Sequence, residues 1–192
     1  MSQTAAFVAR LTDERLFGPG QRALLRTLAG RGLDEDVPGF DLFTGLWWPL
    51  RERSQAAPRR EVAWLITKLY AAFPHLRPDR DMRPPLARVL GQLDPRAEHR
   101  QGRFCRFCGR FDALLQSPLP ALEPHLRWAL SMVREGVAAS TVRGMDWVQL
   151  TDDLSVWDRG AQHHRGRDVR DIWAEQYLNS VTRYLKGGNH AN

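Results

Sequence analysis

The chain has 192 residues, of which 43% are hydrophobic and 26% charged, a globular balance that allows one domain or two small helical subdomains. A formal net charge of +6 favours a polyanionic partner. No run approaches the ~18 apolar residues of a membrane span, residues 1–17 lack the apolar core of a signal peptide, and two cysteines cannot build a disulfide framework, so we expect a cytoplasmic protein.

The front half of the sequence is predicted to form four short helices. Residues 4–14 show an amphipathic pattern, and residues 19–29 follow a Gly-Pro-Gly break that places proline in the first turn. Residues 40–50 are almost wholly apolar and predict a buried helix that is stopped by Pro49, and a clearer helix begins at Pro58. The residues expected to face the core are Phe7, Val8, Leu11, Leu24, Leu25, Leu28, Val62, Leu65, Ile66, Leu69 and Phe73.

Five more helices are predicted after a proline- and arginine-rich bend at residues 74–85. Trp147 and Trp157 fall on one apolar stripe and are expected to anchor a core. No segment shows the sustained alternation typical of strands, so the predicted fold class is all-α, with about nine short helices in two packed subdomains, residues 1–80 and 81–192. The five helices are predicted at residues 86–93, 100–116, 123–135, 146–157 and 168–185.

Residues 100–116 (RQGRFCRFCGRFDALLQ) carry the most informative pattern in the chain. Four apolar residues form one stripe of a helix, and three arginines repeat beside it, about 100° around the helix. Only Asp112 lies near, and it is turned away from Arg110. Guanidinium groups suit phosphate oxygens, so the row indicates a nucleic-acid-binding face, although a solvated charged surface is the simpler interpretation. The stripe is Phe104, Phe107, Phe111 and Leu114, and the row is Arg103, Arg106 and Arg110.

Further arginines lie on the polar sides of other helices or in the loops between them. If all these groups converge in the fold, they line one basic track along a phosphate backbone. Such binding is blind to base sequence, because phosphate contacts position a ligand without specifying it. If they scatter, the protein is merely basic. The candidate nucleic-acid-binding residues are Arg22, Arg26, Arg103, Arg106, Arg110, Arg127, Arg134, Arg143, Arg159, Arg165 and Arg167.

Two residue pairs have both a chemical and a structural interpretation. Cys105 and Cys108 form a CxxC pattern, but a structural zinc needs four ligands and a redox pair normally begins a helix after a strand. We therefore expect both thiols to be buried in a helix. The Trp47-Trp48 pair is either core or a stacking platform, and the core is the preferred interpretation.

No catalytic centre can be nominated from the sequence. His163-His164 with Asp152-Asp153 would suit a metal-dependent nuclease, but a solvated polar helix face accounts for the carboxylates more simply. The chain has no nucleophile-elbow motif, P-loop or dinucleotide fingerprint. We predict that the protein is not an enzyme and uses neither cofactor nor metal.

The order of several short motifs resembles one known family. The motifs are RALLR at 22–26, GRFDALL at 109–115, HLR at 125–127, DWVQLTDDLSVW at 146–157 and VRDIWAEQY at 169–177. Each is only arginine and aromatic residues on a helix, but their order and spacing and the chain length together resemble the CasB family. This family provides the small subunit of the type I-E CRISPR Cascade complex.

The resemblance implies a non-catalytic, all-helical protein with two helical subdomains. Two copies of the family's proteins lie head to tail along an RNA-guided surveillance complex, where they contact its backbone subunits and its large subunit. Their basic surface holds target DNA within this guide-RNA-containing complex and steadies the displaced strand of the R-loop. By position, Arg22, Arg26, Arg110, Arg127 and Arg159 match basic residues of the family. The other six candidates come from helical geometry and loop position.

Two alternatives stay open on the residues alone. A helical DNA-binding regulator would need a short helix-turn-helix, but the sequence lacks a tight Gly-centred turn between two suitable helices. A scaffold protein would use the same arginines to meet acidic protein partners.

Overall fold

The computed structural model describes residues 2–33, 40–76, 84–95, 106–160 and 166–187 of the chain. Over these ranges it contains nine α-helices, a short 3-10 helix at Leu119–Ala121 and no β-strand, which confirms the all-α fold class. None of the helices in this part of the chain is long and apolar enough to cross a membrane. The helices are α1 (Gln3–Thr12), α2 (Pro19–Arg26), α3 (Phe40–Arg51), α4 (Arg60–Ala72), α5 (Leu86–Leu93), α6 (Arg106–Gln116), α7 (Glu123–Ala138), α8 (Trp147–Ser155) and α9 (Val169–Gly187).

The chain divides into two compact units. Unit 1 comprises Met1–Pro74 together with Trp147–Ser155, and unit 2 comprises His75–Asp146 together with Val156–Asn192. Helix α8 therefore belongs to the same unit as the front-half helices, and neither unit is one continuous stretch of sequence. The two predicted subdomains, residues 1–80 and 81–192, are each continuous.

Unit 1 is organised around α4, whose residues 62–71 are all buried. Helix α2 packs against α4, while α1 packs against α3 and α8. The Tyr70 ring on α4 contacts two other aromatic rings of unit 1. Its centroid lies 6.3 Å from that of Phe17, just before α2, and 5.2 Å from that of Trp147, on α8. Leu24 was predicted to face the core but is exposed, because Leu25 and Leu28 occupy the inward side of this short helix.

The prediction that Pro49 stops the third helix was wrong, because α3 continues to Arg51. Proline has no N–H, so in a continuing helix the carbonyl of Gly45, four residues earlier, loses its usual donor. The guanidinium Nη2 of Arg10, on α1, donates to this Gly45 oxygen at 3.0 Å. A side chain from a neighbouring helix thus satisfies the carbonyl that the proline leaves without a backbone partner.

Unit 2 is built on helices α5 and α9, which make the most extensive contact among the described helices. Gly91 on α5 lies against the backbone carbonyl of Tyr177 on α9, and a side chain at this position would overlap it. The second anchor is Trp157, whose ring meets Trp173 edge to face at 5.1 Å and whose Nε1 donates to the Ser117 carbonyl at 2.9 Å. The core stripe predicted for α7 is fully buried; it consists of Leu126, Ala129, Leu130 and Val133.

Candidate nucleic-acid interface

Helix α6 presents two arginines of the predicted row to solvent. Arg106 and Arg110 are both exposed and lie one turn apart, about 6 Å along the helix axis. The apolar side of the same helix is buried at Phe111 and Leu114. Among the residues that the structure describes, no carboxylate forms an ion pair with either arginine. Arg103 and Phe104, the first members of the two stripes, lie outside the described residues.

An aromatic side chain that the sequence analysis did not single out lies beside this row. Trp128, on α7, is half-buried, and its ring centroid is 5.1 Å from that of Phe107 with the ring planes 68° apart. The guanidinium carbon of Arg110 lies 5.8 Å from the Trp128 ring, within the range of a cation–π contact. The sequence did offer one indication of this residue: Trp128 directly follows Arg127 and does not belong to the apolar stripe of α7.

Two of the candidate arginines are held by carboxylates and are largely covered. Arg22 Nη2 lies 3.1 Å from Glu14 Oε1, and the Arg22 side chain is only 13% exposed. Arg127 Nε lies 3.0 Å from Glu123 Oε1, one turn earlier on α7. Each guanidinium already has an anionic partner within its own unit, so a phosphate would have to compete for it.

Arg167 is also ion-paired, but on the surface. Its Nη2 lies 2.6 Å from Glu175 Oε2, and the hydrogen bond and charge of Glu175 raise the pKa of Arg167 above its ordinary value. Arg26 is bonded to a backbone carbonyl instead of a carboxylate: its Nε donates to the Arg22 oxygen at 3.3 Å. The residue stays exposed. Arg167 is therefore a weaker candidate for phosphate binding than Arg26.

The remaining candidates lie on helix surfaces and in loops. Arg134 is exposed on α7, Arg143 is exposed in the loop before α8, and Arg159 is exposed just past Trp157. Arg165 falls outside the described residues. Within unit 2 the structure brings Arg106 and Arg110 together with an aromatic neighbour, and a single track through all eleven predicted positions stays a prediction.

A buried polar cluster joins three helices of unit 2. The Tyr177 hydroxyl on α9 donates a hydrogen bond to Asp94 Oδ2, at the end of α5. The Cys108 thiol on α6 lies 3.6 Å from the same oxygen and 3.7 Å from the Tyr177 hydroxyl. Burial, followed by these hydrogen bonds, raises the pKa of Tyr177 well above its ordinary value of 10. Cys108 is half-buried rather than buried, and Cys105 lies outside the described residues.

The acidic pair considered for a metal site is split by the fold. Asp152 is exposed, but Asp153 is 4% exposed and accepts a hydrogen bond from Gln149 Nε2 at 2.8 Å. The prediction of a solvated face is therefore wrong for Asp153. In the described ranges no three His, Cys, Asp or Glu side chains cluster as metal ligands would, and His163-His164 fall outside them.

The Trp47-Trp48 pair is also split, since successive helical residues point about 100° apart. Trp47 is buried and donates its Nε1 hydrogen to the Pro58 carbonyl at 2.8 Å. Trp48 is 51% exposed, so the prediction that both rings belong to the core holds only for the first.

Comparison with known proteins identifies a family and several proteins of similar fold. Residues 21–178 match the family model of CRISPR-associated protein Cse2. No curated protein sequence matches significantly. The fold is similar to M. ruber CasB, with 22% identity over 95% of this chain and 96% of that one and a TM-score of 0.68. A Cse2-family CRISPR-associated protein from Thermus thermophilus gives 23% identity, 93% and 99% coverage and a TM-score of 0.64. A chain of a CRISPR RNA-guided surveillance complex gives 19% identity, 97% coverage of both chains and a TM-score of 0.67.

Proposed function

Because the chain belongs to the CRISPR-associated protein Cse2 family, we propose that it is the non-catalytic small subunit of an RNA-guided Cascade surveillance complex. The observation that carries this proposal is the family match over residues 21–178. The shared fold with a chain of a CRISPR RNA-guided surveillance complex supports it. The proposed partners are target DNA and guide RNA within the complex, a second copy of this chain, and the backbone and large subunits.

The proposed molecular role is to bind nucleic-acid backbones without reading sequence. Arg106 and Arg110 are the best placed for this role, because both are exposed and no described carboxylate pairs with them. Arg26, Arg143 and Arg159 are also exposed, and each is a further candidate for a phosphate contact. The ion-paired candidates contribute less, because each must exchange a protein carboxylate for a phosphate.

A modest basic surface is sufficient for the proposed stabilisation of the R-loop. Replacing a DNA duplex by an RNA–DNA heteroduplex is close to energy-neutral, so a few backbone contacts change the balance between the open and closed states. Arginine contacts to the displaced strand would slow its return to the target strand. This step requires charge and position but no bond breaking, which agrees with the proposal that the subunit is not an enzyme.

The test is the lifetime of target DNA on a reconstituted complex. The complex is assembled with guide RNA and either the unaltered chain or the R106A/R110A variant. We expect the variant complex to form with the same subunit and RNA content but to release target DNA faster. The matched control is R106K/R110K, which keeps both positive charges and should retain most of the lifetime, because lysine and arginine both neutralise phosphates. An unchanged lifetime in R106A/R110A would refute the role of this face.

A further inference from the structure

Trp128 occupies an unusual position for so large an apolar side chain. The core side of α7 is complete without it, because the stripe beginning at Leu126 is fully buried. Trp128 lies off this stripe and is only half-buried. Its contacts with Phe107 at 5.1 Å and Arg110 at 5.8 Å restrict the ring's orientation. The Trp128 ring on α7 is therefore held in place by two side chains of α6.

The surroundings of this ring match the chemistry of one class of ligand. Proteins that hold single-stranded nucleic acid combine aromatic rings, on which unpaired bases stack, with cations that follow the phosphates. Here exposed Arg106 and Arg110 lie one turn apart on the neighbouring helix, and the Arg110 guanidinium lies beside the ring. A duplex would use the arginines but not the ring, because its base faces are covered by their neighbours in the stack.

The other exposed tryptophan shows why exposure alone is not the argument. Trp48 is more exposed than Trp128, and its ring meets Trp47 at 6.0 Å. The arginine that follows on the same helix, Arg51, uses its Nη1 to bind the Gln55 carbonyl at 2.8 Å and is half-buried. In the described part of the chain no arginine or lysine makes a cation–π contact with Trp48, whereas Arg110 makes one with Trp128, so Trp48 is a matched control.

We infer that Trp128 is a base-stacking platform for single-stranded DNA, with Arg106 and Arg110 binding the phosphates on either side of the stacked nucleotide. This inference rests on the proposed function and deepens it, because it assigns the bases of the displaced single strand, and not only its phosphates, to a side chain of this face. It also adds a contact to bases that is tolerant of sequence, since every base has a face that can stack.

The experiment compares three labelled ligands on the 192-residue chain at ~50 mM salt: an oligothymidylate, an abasic strand of equal length, and a duplex. W128L should bind the oligothymidylate about 5- to 150-fold more weakly, the range for loss of one stacked base. It should bind the abasic strand and the duplex as the unaltered chain does. W128F should recover most of the binding to oligothymidylate, and W48L should leave all three affinities unchanged. Circular dichroism melts confirm that each variant is folded.

Two results would overturn the inference: an equal loss by W128L on the base-containing and abasic strands, or no loss on either. If W128L has no effect while R106A/R110A weakens binding of all three ligands, only the stacking inference fails. If R106A/R110A also leaves all three affinities unchanged, the phosphate-binding role of the face fails as well.

Discussion

Replacing Gly91 by alanine tests the packing of α5 against α9, on which unit 2 depends. A Cβ at this position would overlap the Tyr177 carbonyl and lie 2.8 Å from Ser180 Cβ, both on α9. The backbone carbonyl cannot rotate away as a side chain could, so the two helices must separate locally. Overpacking of this kind costs about 1–3 kcal/mol. For a protein of this size, we expect a melting temperature about 2–12 °C lower.

The matched control is G109A, the same substitution inside another helix. Gly109 lies on α6, and a Cβ there would meet nothing within 4 Å. The loss of unfolded-state entropy should then stabilise the protein by about 0.4–1 kcal/mol. Thermal melts followed by circular dichroism should therefore separate G91A from G109A by about 3–16 °C, with shifts of opposite sign. A G91A variant as stable as the unaltered protein would refute the described contact between α5 and α9.

Two further predictions concern hydrogen bonds made inside each unit. Y177F removes the donor to buried Asp94 and should cost about 1–3 kcal/mol in urea unfolding. Because the pKa of Tyr177 is raised above 10 in the folded state, the folded protein keeps the phenol proton at a pH where the unfolded chain loses it. The free energy of unfolding should therefore fall as pH rises above ~10 in the unaltered protein, and fall less in Y177F. An equal alkaline loss of stability in both proteins would contradict this. R10A should cost up to about 1 kcal/mol by removing the donor to the Gly45 carbonyl, and less in a P49A background that restores a backbone N–H. An identical cost of R10A in both backgrounds would mean that the arginine does not replace the missing proline donor.

Most helices were predictable because each buries one stripe with a helical period. The range 86–93 was predicted and observed as α5, and the stripe from Leu126 to Val133 is buried as expected. Several of the errors lie where only one of two neighbouring residues can point into the core, as at Leu24 and Leu25. Helix propensity and the spacing of apolar residues cannot show which of the two is buried, because that depends on where the neighbouring helix packs.

The candidate site was less predictable than the fold. The pairs Arg22–Glu14 and Arg167–Glu175 each join residues eight apart, beyond the three- or four-residue spacing that helical geometry predicts. Glu123, by contrast, lies four residues before Arg127, so that pair was accessible from the sequence.

The aromatic neighbour of the α6 arginines was missed for the same physical reason. Its place depends on how α6 packs against α7, and the 5.8 Å contact between Arg110 and Trp128 joins residues eighteen positions apart in the chain. Patterns within one helix therefore identified the arginine row but could not identify what lies beside it.

The salt dependence of DNA binding by the reconstituted complex tests the nucleic-acid-binding role most directly. Each phosphate contact contributes about 0.7 (single strand) to 0.9 (duplex) to the slope of log affinity against log salt concentration. If Arg106 and Arg110 each bind one phosphate, R106A/R110A should reduce the magnitude of this slope by about 1.4–1.8, whereas R106K/R110K should leave it almost unchanged. The same slope for R106A/R110A and the unaltered complex would contradict the assignment of this face to nucleic acid.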